Sequence, residues 1–221
     1  MKSTGEHSRL LAAAARDILA PLGVIRKGRS RTWLDDHGWW LIVTEFQPSS
    51  WSKGSYLNVG AMWLWYEKDH FSFDHGNRVQ EFVNYRSEDQ FASEAVRLAT
   101  SAREKILEYR RKFTSASQVA RTLSSASPKS GWDEFHIGVA YGCSGDMETA
   151  RKWLRSVERS NATYDWEKKL QSRAHELADR LSDPASFRMA IEEAIRASRR
   201  HLKLGDCGIE GLFTASSTVY S

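Results

Sequence analysis

The sequence predicts an α+β fold: an antiparallel sheet flanked by two helices, followed by a small all-α helical domain. Three observations carry this reading. Apolar residues recur at helical spacing up to Leu22, alternate with period two from Val24 to Tyr85, and return to helical spacing from Phe91 onward. β-Branched and aromatic residues crowd the middle stretch, which holds six of the nine tryptophans (Trp33, Trp39, Trp40, Trp51, Trp63 and Trp65). A Ser- and Ala-rich run from Thr114 to Gly131 then separates two periodic regions.

The elements follow in order. Ser3 and Glu6 have the spacing of a capping box, in which each side chain satisfies a backbone N–H at a helix start. Leu10, Leu11, Ala14, Ile18 and Leu22 line that helix, and Gly23 suits a left-handed cap at its end. Val24–Leu34 reads as a first strand, and the turn Asp35-Asp36-His37-Gly38 leads to a second over Trp39–Phe46. Gln47–Ser55 is a polar loop, Tyr56–Glu67 a third strand, and Phe71–Tyr85 holds one or two more. Short connections between consecutive strands favour an antiparallel meander. Ser87 or Asp89 can cap a second long helix running to about Phe113, and both helices are expected on one face of the sheet.

Residues 114–131 read as a linker or short helix, with the domain boundary between Ser124 and Gly131. Four helices follow. Trp132, Phe135, His136, Val139, Ala140 and Cys143 share one face of the first, and Asp146 caps the second. Trp166, Leu170, Ala174, Leu177, Ala178 and Leu181 mark the third. Asp183-Pro184 opens the fourth, with proline where no N–H is lost. The expected organisation is 1–113 sheet domain, 114–131 linker, 132–204 helical-hairpin domain and 205–221 flexible tail.

Composition bounds the function. With 221 residues, 41% of them hydrophobic and 27% charged, the chain is an ordinary globular one. No apolar run approaches the roughly 18 residues a membrane span needs. Leu10–Ala15 is too short for a signal peptide and is interrupted by Arg16-Asp17. Two cysteines, Cys143 and Cys207, make no disulfide framework. A cytoplasmic location is the expectation. The net charge of +4, from 32 basic and 28 acidic residues, argues against strong nucleic-acid binding.

Two resemblances enter on specific motifs. Leu22-Gly23-Val24-Ile25-Arg26-Lys27-Gly28-Arg29-Ser30-Arg31-Thr32-Trp33 comes first. Phe46-Gln47-Pro48-Ser49-Ser50-Trp51 and Tyr56-Leu57-Asn58-Val59-Gly60 follow it. In this order they resemble the bacterial domain-of-unknown-function family 4304, over about residues 4–113. Val24 replaces the usual aromatic, and Pro48 and Ser49 alter the glutamine–serine spacing. The resemblance implies an α+β domain and no established activity. More narrowly, Ile137, Gly138, Tyr141, Gly145, Ala150 and Leu154 have the spacing of a single tetratricopeptide-like hairpin near 132–159. Trp166 repeats Trp132 after 34 residues, but Gln171, Ser172 and His175 break the signature there.

The candidate binding residues are Lys27, Arg29, Arg31, Trp33, Trp51 and Asn58. On one continuous strand, Lys27, Arg29 and Arg31 would share a solvent-facing side. Cations beside exposed aromatics suit phosphates and bases; the same charges can simply guard a sheet edge. Asn58 is expected to anchor the neighbouring loop through Gln47 or Ser50. Glu45 is expected at the wet end of its strand or paired with an arginine; on an apolar face it would be an acid or base with a raised pKa. Asp35, Asp36, His37, Asp69, His70, Asp74 and His75 read as solvent-exposed turn residues, with a metal site as the alternative. No catalytic motif, metal ligand set or cofactor fingerprint is present. The expectation is a non-catalytic module that binds another protein, a toxin-neutralising or defence-associated factor being one form of it. A nucleic-acid binder using the basic strand is the alternative, and a metal-assisted hydrolase the second alternative.

Overall fold

The computed structural model describes residues 5–209 and 212–213; Ser3 of the expected capping box and most of the expected tail lie outside them. The chain is an α+β protein. Its five strands form one antiparallel sheet in sequence order, β1(Ile25–Arg26), β2(Thr32–Asp36), β3(Trp40–Glu45), β4(Gly54–Trp63) and β5(His75–Asn84). Seven α-helices occur among the described residues: α1(Glu6–Leu19), α2(Glu88–Lys112), α3(Ala116–Ser124), α4(Gly131–Cys143), α5(Met147–Arg159), α6(Asp165–Arg180) and α7(Pro184–His201). None is long and apolar enough to cross a membrane.

The chain divides into two compact units, residues 1–62 with 71–110, and residues 63–70 with 111 onward. The second boundary lies at Arg110–Arg111, and the last residue of β4 with its following loop groups with the helices. The Ser/Ala-rich stretch expected as a linker or short helix contains a short helix, α3, which buries Ala116, Val119 and Ala120 and packs on α4. Ser115 starts it by accepting the Gln118 N–H.

In the sheet unit, β2 pairs with β3 so that Trp33 faces Thr44 and Asp35 faces Ile42. Residues two apart share a face. Trp33 borders Ser8, Leu11 and Ala12 of α1, while Asp35 takes the guanidinium of Arg110 from α2. Both helices therefore cover one face, burying Leu11, Ala15, Phe91, Ala95, Leu98 and Ala102 against it. Gly76 (φ +119) makes this packing possible: a Cβ there would lie 2.5 Å from the Tyr109 hydroxyl and 2.6 Å from the Val59 carbonyl oxygen.

The first predicted strand is corrected. Residues 27–31 are a hairpin turn between β1 and β2, closed by Ser30 N–H on the Lys27 carbonyl and Lys27 N–H on that of Thr32. Gly28 takes φ +55, which breaks any strand there. The third predicted strand also stops early, at Trp63 rather than Glu67.

The helical unit stacks α4 on α5, α5 on α6 and α6 on α7. Asp146 caps α5 and Asp183 caps α7, each accepting a backbone N–H. Gly142 lies against the Phe187 ring, where a Cβ would meet a ring carbon at 2.5 Å.

Candidate functional site

The structure separates the six sequence-selected residues into three environments. Lys27, Arg29 and Arg31 belong to the β1–β2 turn, not to one strand face, so the shared solvent-facing side is not formed. Lys27 lies over the Phe71 ring at 5.8 Å. Arg29 is exposed, and its guanidinium has no hydrogen bond or ion pair among the described residues. Arg31 is half-buried and donates to the Gly54 carbonyl (3.1 Å), the His7 ring nitrogen (2.9 Å) and the Ser8 hydroxyl. Trp33 is buried in the core.

Asn58 donates to Gln47 Oε1 (2.9 Å) and to Glu45 Oε2 (3.1 Å). Glu45 is the last residue of β3, and its carboxylate accepts an amide rather than pairing with an arginine. Arg78 reaches the same Gln47 oxygen (3.2 Å) while lying over the Tyr56 ring at 4.1 Å. These bonds pin Gln47, the second residue of the β3–β4 loop. The Tyr56 N–H adds a bond to the Gln47 carbonyl, and Ser49 Oγ accepts the Trp51 N–H. On this held loop Trp51 is 95% exposed.

The β1–β2 turn and the β3–β4 loop emerge at the same end of the sheet, because Thr32 pairs with Glu45 and the Phe46 N–H bonds the Arg31 carbonyl. Lys27, Arg29, Arg31 and Trp51 are thus gathered by two turns. Lys53 belongs to this end and acts electrostatically on His7. Burial and the Arg31 and Lys53 cations hold the His7 pKa below its ordinary value. A histidine kept neutral in this way stabilises fully above its unfolded pKa and loses that contribution as pH falls through it. Urea unfolding at pH 7.5 and 5.5 should show a larger loss for the native chain than for His7→Asn; equal losses would contradict the buried neutral ring.

Asp35 is not a turn residue at the surface. It is 4% exposed and accepts two bonds from Arg110 (both 2.8 Å) and one from His37 Nε2 (2.9 Å). Burial alone would raise its pKa; the His37 and Arg110 bonds outweigh this and hold it below the ordinary carboxyl value. Arg110 also bonds the Leu22 carbonyl (2.7 Å), and His37 stacks on Trp40 at 4.4 Å. The Asp35 carboxylate is bonded to both His37 and Arg110, which makes the cluster a clamp of β2 to α2. Asp74 and His75 are half-buried rather than exposed, and His75 opens β5 beside Tyr109. Asp69 and His70 are exposed and bonded to each other (2.9 Å). Among the described residues no group of three His, Cys, Asp or Glu side chains could hold a metal ion. Burial pushes the Cys143 thiol far up, away from the reactive thiolate; Cys207 is exposed.

Sequence reasoning missed a concavity in the helical unit. An open cleft of about 870 Å³ lies within the helical unit. Trp132 and Trp166 line it with near-parallel rings, 6.1 Å between centroids and 8° apart, and Tyr66 meets Trp132 edge-on at 4.7 Å. Burial raises the Tyr66 pKa, so its hydroxyl stays protonated. Lys68, itself 8% exposed, places its ammonium 5.3 Å from the Trp132 ring. Arg173 is held by Glu176 (2.7 Å) and the Ala190 carbonyl (3.0 Å). Lys169, Arg200 and Glu193 also line the cleft, and no partner holds their side chains among the described residues. Ala190, Ala194 and Ala197, one face of α7, leave the space open. The signal available in the sequence was the 34-residue spacing of Trp132 and Trp166. Against known proteins, no family model, no curated protein and no solved structure matches this chain.

Proposed function

We propose that this chain is a non-catalytic protein-recognition module that docks an acidic partner at the end of its sheet carrying Trp51. One observation carries the reading: an indole 95% exposed on a loop that is itself held by hydrogen bonds from Gln47, Ser49, Tyr56 and Asn58. An indole so exposed adds almost nothing to folding, and a held loop has already lost the entropy that a mobile one would lose on binding. Tryptophan and arginine are the residues that most often anchor interfaces. The exposed Arg29, with Lys27 and Lys53 on the same end, supports an acidic counterpart and a fast, salt-sensitive encounter. A toxin is one such partner class, since neutralisation by occlusion asks no chemistry of this chain.

Trp51→Ala should weaken partner binding by about 2–4 kcal/mol, the range of interface anchors. Its thermal unfolding should match the native chain within about 0.5 kcal/mol, as for other surface changes. The measurement is a pair of affinity captures from extracts of the source cells, followed by titration of the protein retained. Equal retention by both forms would overturn the reading.

A further inference from the structure

The chemistry first sought on the basic strand, cations beside aromatic faces, is assembled instead in the helical-unit cleft. Trp132 is covered by Lys68, the His136 ring and Trp166, and Trp166, which is near-parallel to it and 46% exposed, offers a flat face for a planar ring. Four cations, Lys68, Lys169, Arg173 and Arg200, line the same space. Arg173 is oriented by its bonds to Glu176 and Ala190, while Lys169 and Arg200 have no internal anion among the described residues. The lining anions divide: Glu67 is paired with His201 (2.9 Å) and Asp69 with His70 (2.9 Å), leaving Glu193 as the acceptor without a partner among the described residues. At about 870 Å³ the cleft is in the size range of small-molecule sites, roughly 300–1,000 Å³.

We propose that this cleft binds a nucleoside phosphate, its base stacked on the exposed face of Trp166. The phosphates are met by Lys169 and Arg200 with Arg173 behind them, and Glu193 accepts from a sugar hydroxyl or a ring amine. An apolar ligand would leave Lys169 and Arg200 idle, and inorganic phosphate alone would leave the Trp166 face idle; only a ligand with both parts uses the whole lining. The same chemistry is offered by a free nucleotide and by a nucleotide within a single strand, because every base has a π-face. This site is distinct from the Trp51 end of the sheet and does not rest on the protein-recognition reading.

The test is calorimetric titration of the full chain with ADP, adenosine, inorganic phosphate and a single-stranded octanucleotide. ADP or the octanucleotide should bind, with adenosine and phosphate each at least about ten-fold weaker than ADP. Tighter octanucleotide binding identifies a strand as the source, and tighter ADP binding a free nucleotide. Trp166→Ala should weaken binding about ten-fold or more, the scale of a lost base stack. The double variant Lys169→Glu, Arg200→Glu should weaken it at least as much and flatten its salt dependence. Both carry exposed side chains, so they keep the test informative if Ala194→Phe, which would fill the cleft, fails to fold. Trp51→Ala should leave these affinities unchanged. Absence of binding by both ADP and the octanucleotide at millimolar concentration would overturn the proposal. So would binding that survives every cleft variant, or an acidic peptide that occupies the cleft and is not displaced by ADP.

Discussion

Asp35→Ala should cost about 3 kcal/mol of stability, the low end of the roughly 3–5 kcal/mol expected when one partner of a buried ion pair is removed. The low end applies because the Arg110 side chain keeps 29% of its exposure and can recover some water. The loss has three parts. Arg110 is left with only the Leu22 carbonyl at 2.7 Å, His37 loses its 2.9 Å acceptor, and the link from β2 to α2 disappears. Asp35→Asn should cost less, since one acceptor oxygen remains. The double variant Asp35→Leu, Arg110→Met should recover much of the loss, because an apolar pair of similar volume leaves no charge stranded. The pH dependence has a definite sign. The folded carboxyl has a pKa below its unfolded value, so its stabilisation is complete above the ordinary carboxyl pKa and drains away as pH falls through the folded one. Urea unfolding of the four forms at pH 7 and pH 3 checks both claims. A loss under about 1 kcal/mol for Asp35→Ala would mean that the cluster is surface decoration.

The alternation of apolar residues made the antiparallel meander legible, although the first predicted strand is the pair β1 and β2 and Phe71–Tyr85 holds β5 alone; the caps Asp146 and Asp183 with Pro184 placed two helix starts almost to the residue. The failures have local causes. Lys27, Arg29 and Arg31 alternate as a strand would, yet Gly28 takes a left-handed φ and Ser30 bonds the Lys27 carbonyl through its hydroxyl. A glycine and a serine inside an alternating run are turn chemistry, and that signal outranked the period. Asp35 read as a turn residue because its partner is 75 positions away and no local pattern announces Arg110.

The candidate site was legible only in pieces. Trp51 stood in a polar loop, where nothing in the sequence separates a buried anchor from an exposed one; the difference depends on what Gln47 and Asn58 hold. The cleft was harder. Trp132 and Trp166 show their relation by spacing, and Lys169 and Arg173 fall near Trp166 on α6. Tyr66, Glu67 and Lys68 all line the cleft because the chain leaves β4 at Trp63, before the strand that the alternation predicts to Glu67 is complete. Neighbours of opposite parity on a strand, such as Tyr66 and Glu67, cannot both face one cleft; neighbours in a loop can.

Trp65→Ala should give the other large effect, about 3–5 kcal/mol, confined to the helical unit. Trp65 is fully buried, stacks on Trp63 at 5.3 Å and donates its indole N–H to His136 Nδ1 at 2.9 Å. Around it the segment is bound by backbone contacts. Ser198 Oγ lies within hydrogen-bond reach of the Leu64 (3.1 Å) and Tyr66 (3.0 Å) carbonyls and accepts the Lys68 N–H (3.2 Å). Residues 63–70 are therefore a structural part of the helical unit that the chain delivers from the end of a strand. Trp65→Ala should raise amide exchange in α4 and in the last turns of α7, where His136 and Ser198 reside, while exchange in α2 stays as it was. Trp65→Phe retains most of the volume and should lose about half as much, separating the packing from the hydrogen bond. The same argument predicts that a fragment beginning at Arg111 has no cooperative unfolding transition, because it lacks Trp63, Leu64 and Trp65 from its core. A fragment from Arg111 that melts cooperatively at the temperature of the full chain would show that residues 63–70 only rest on the helices.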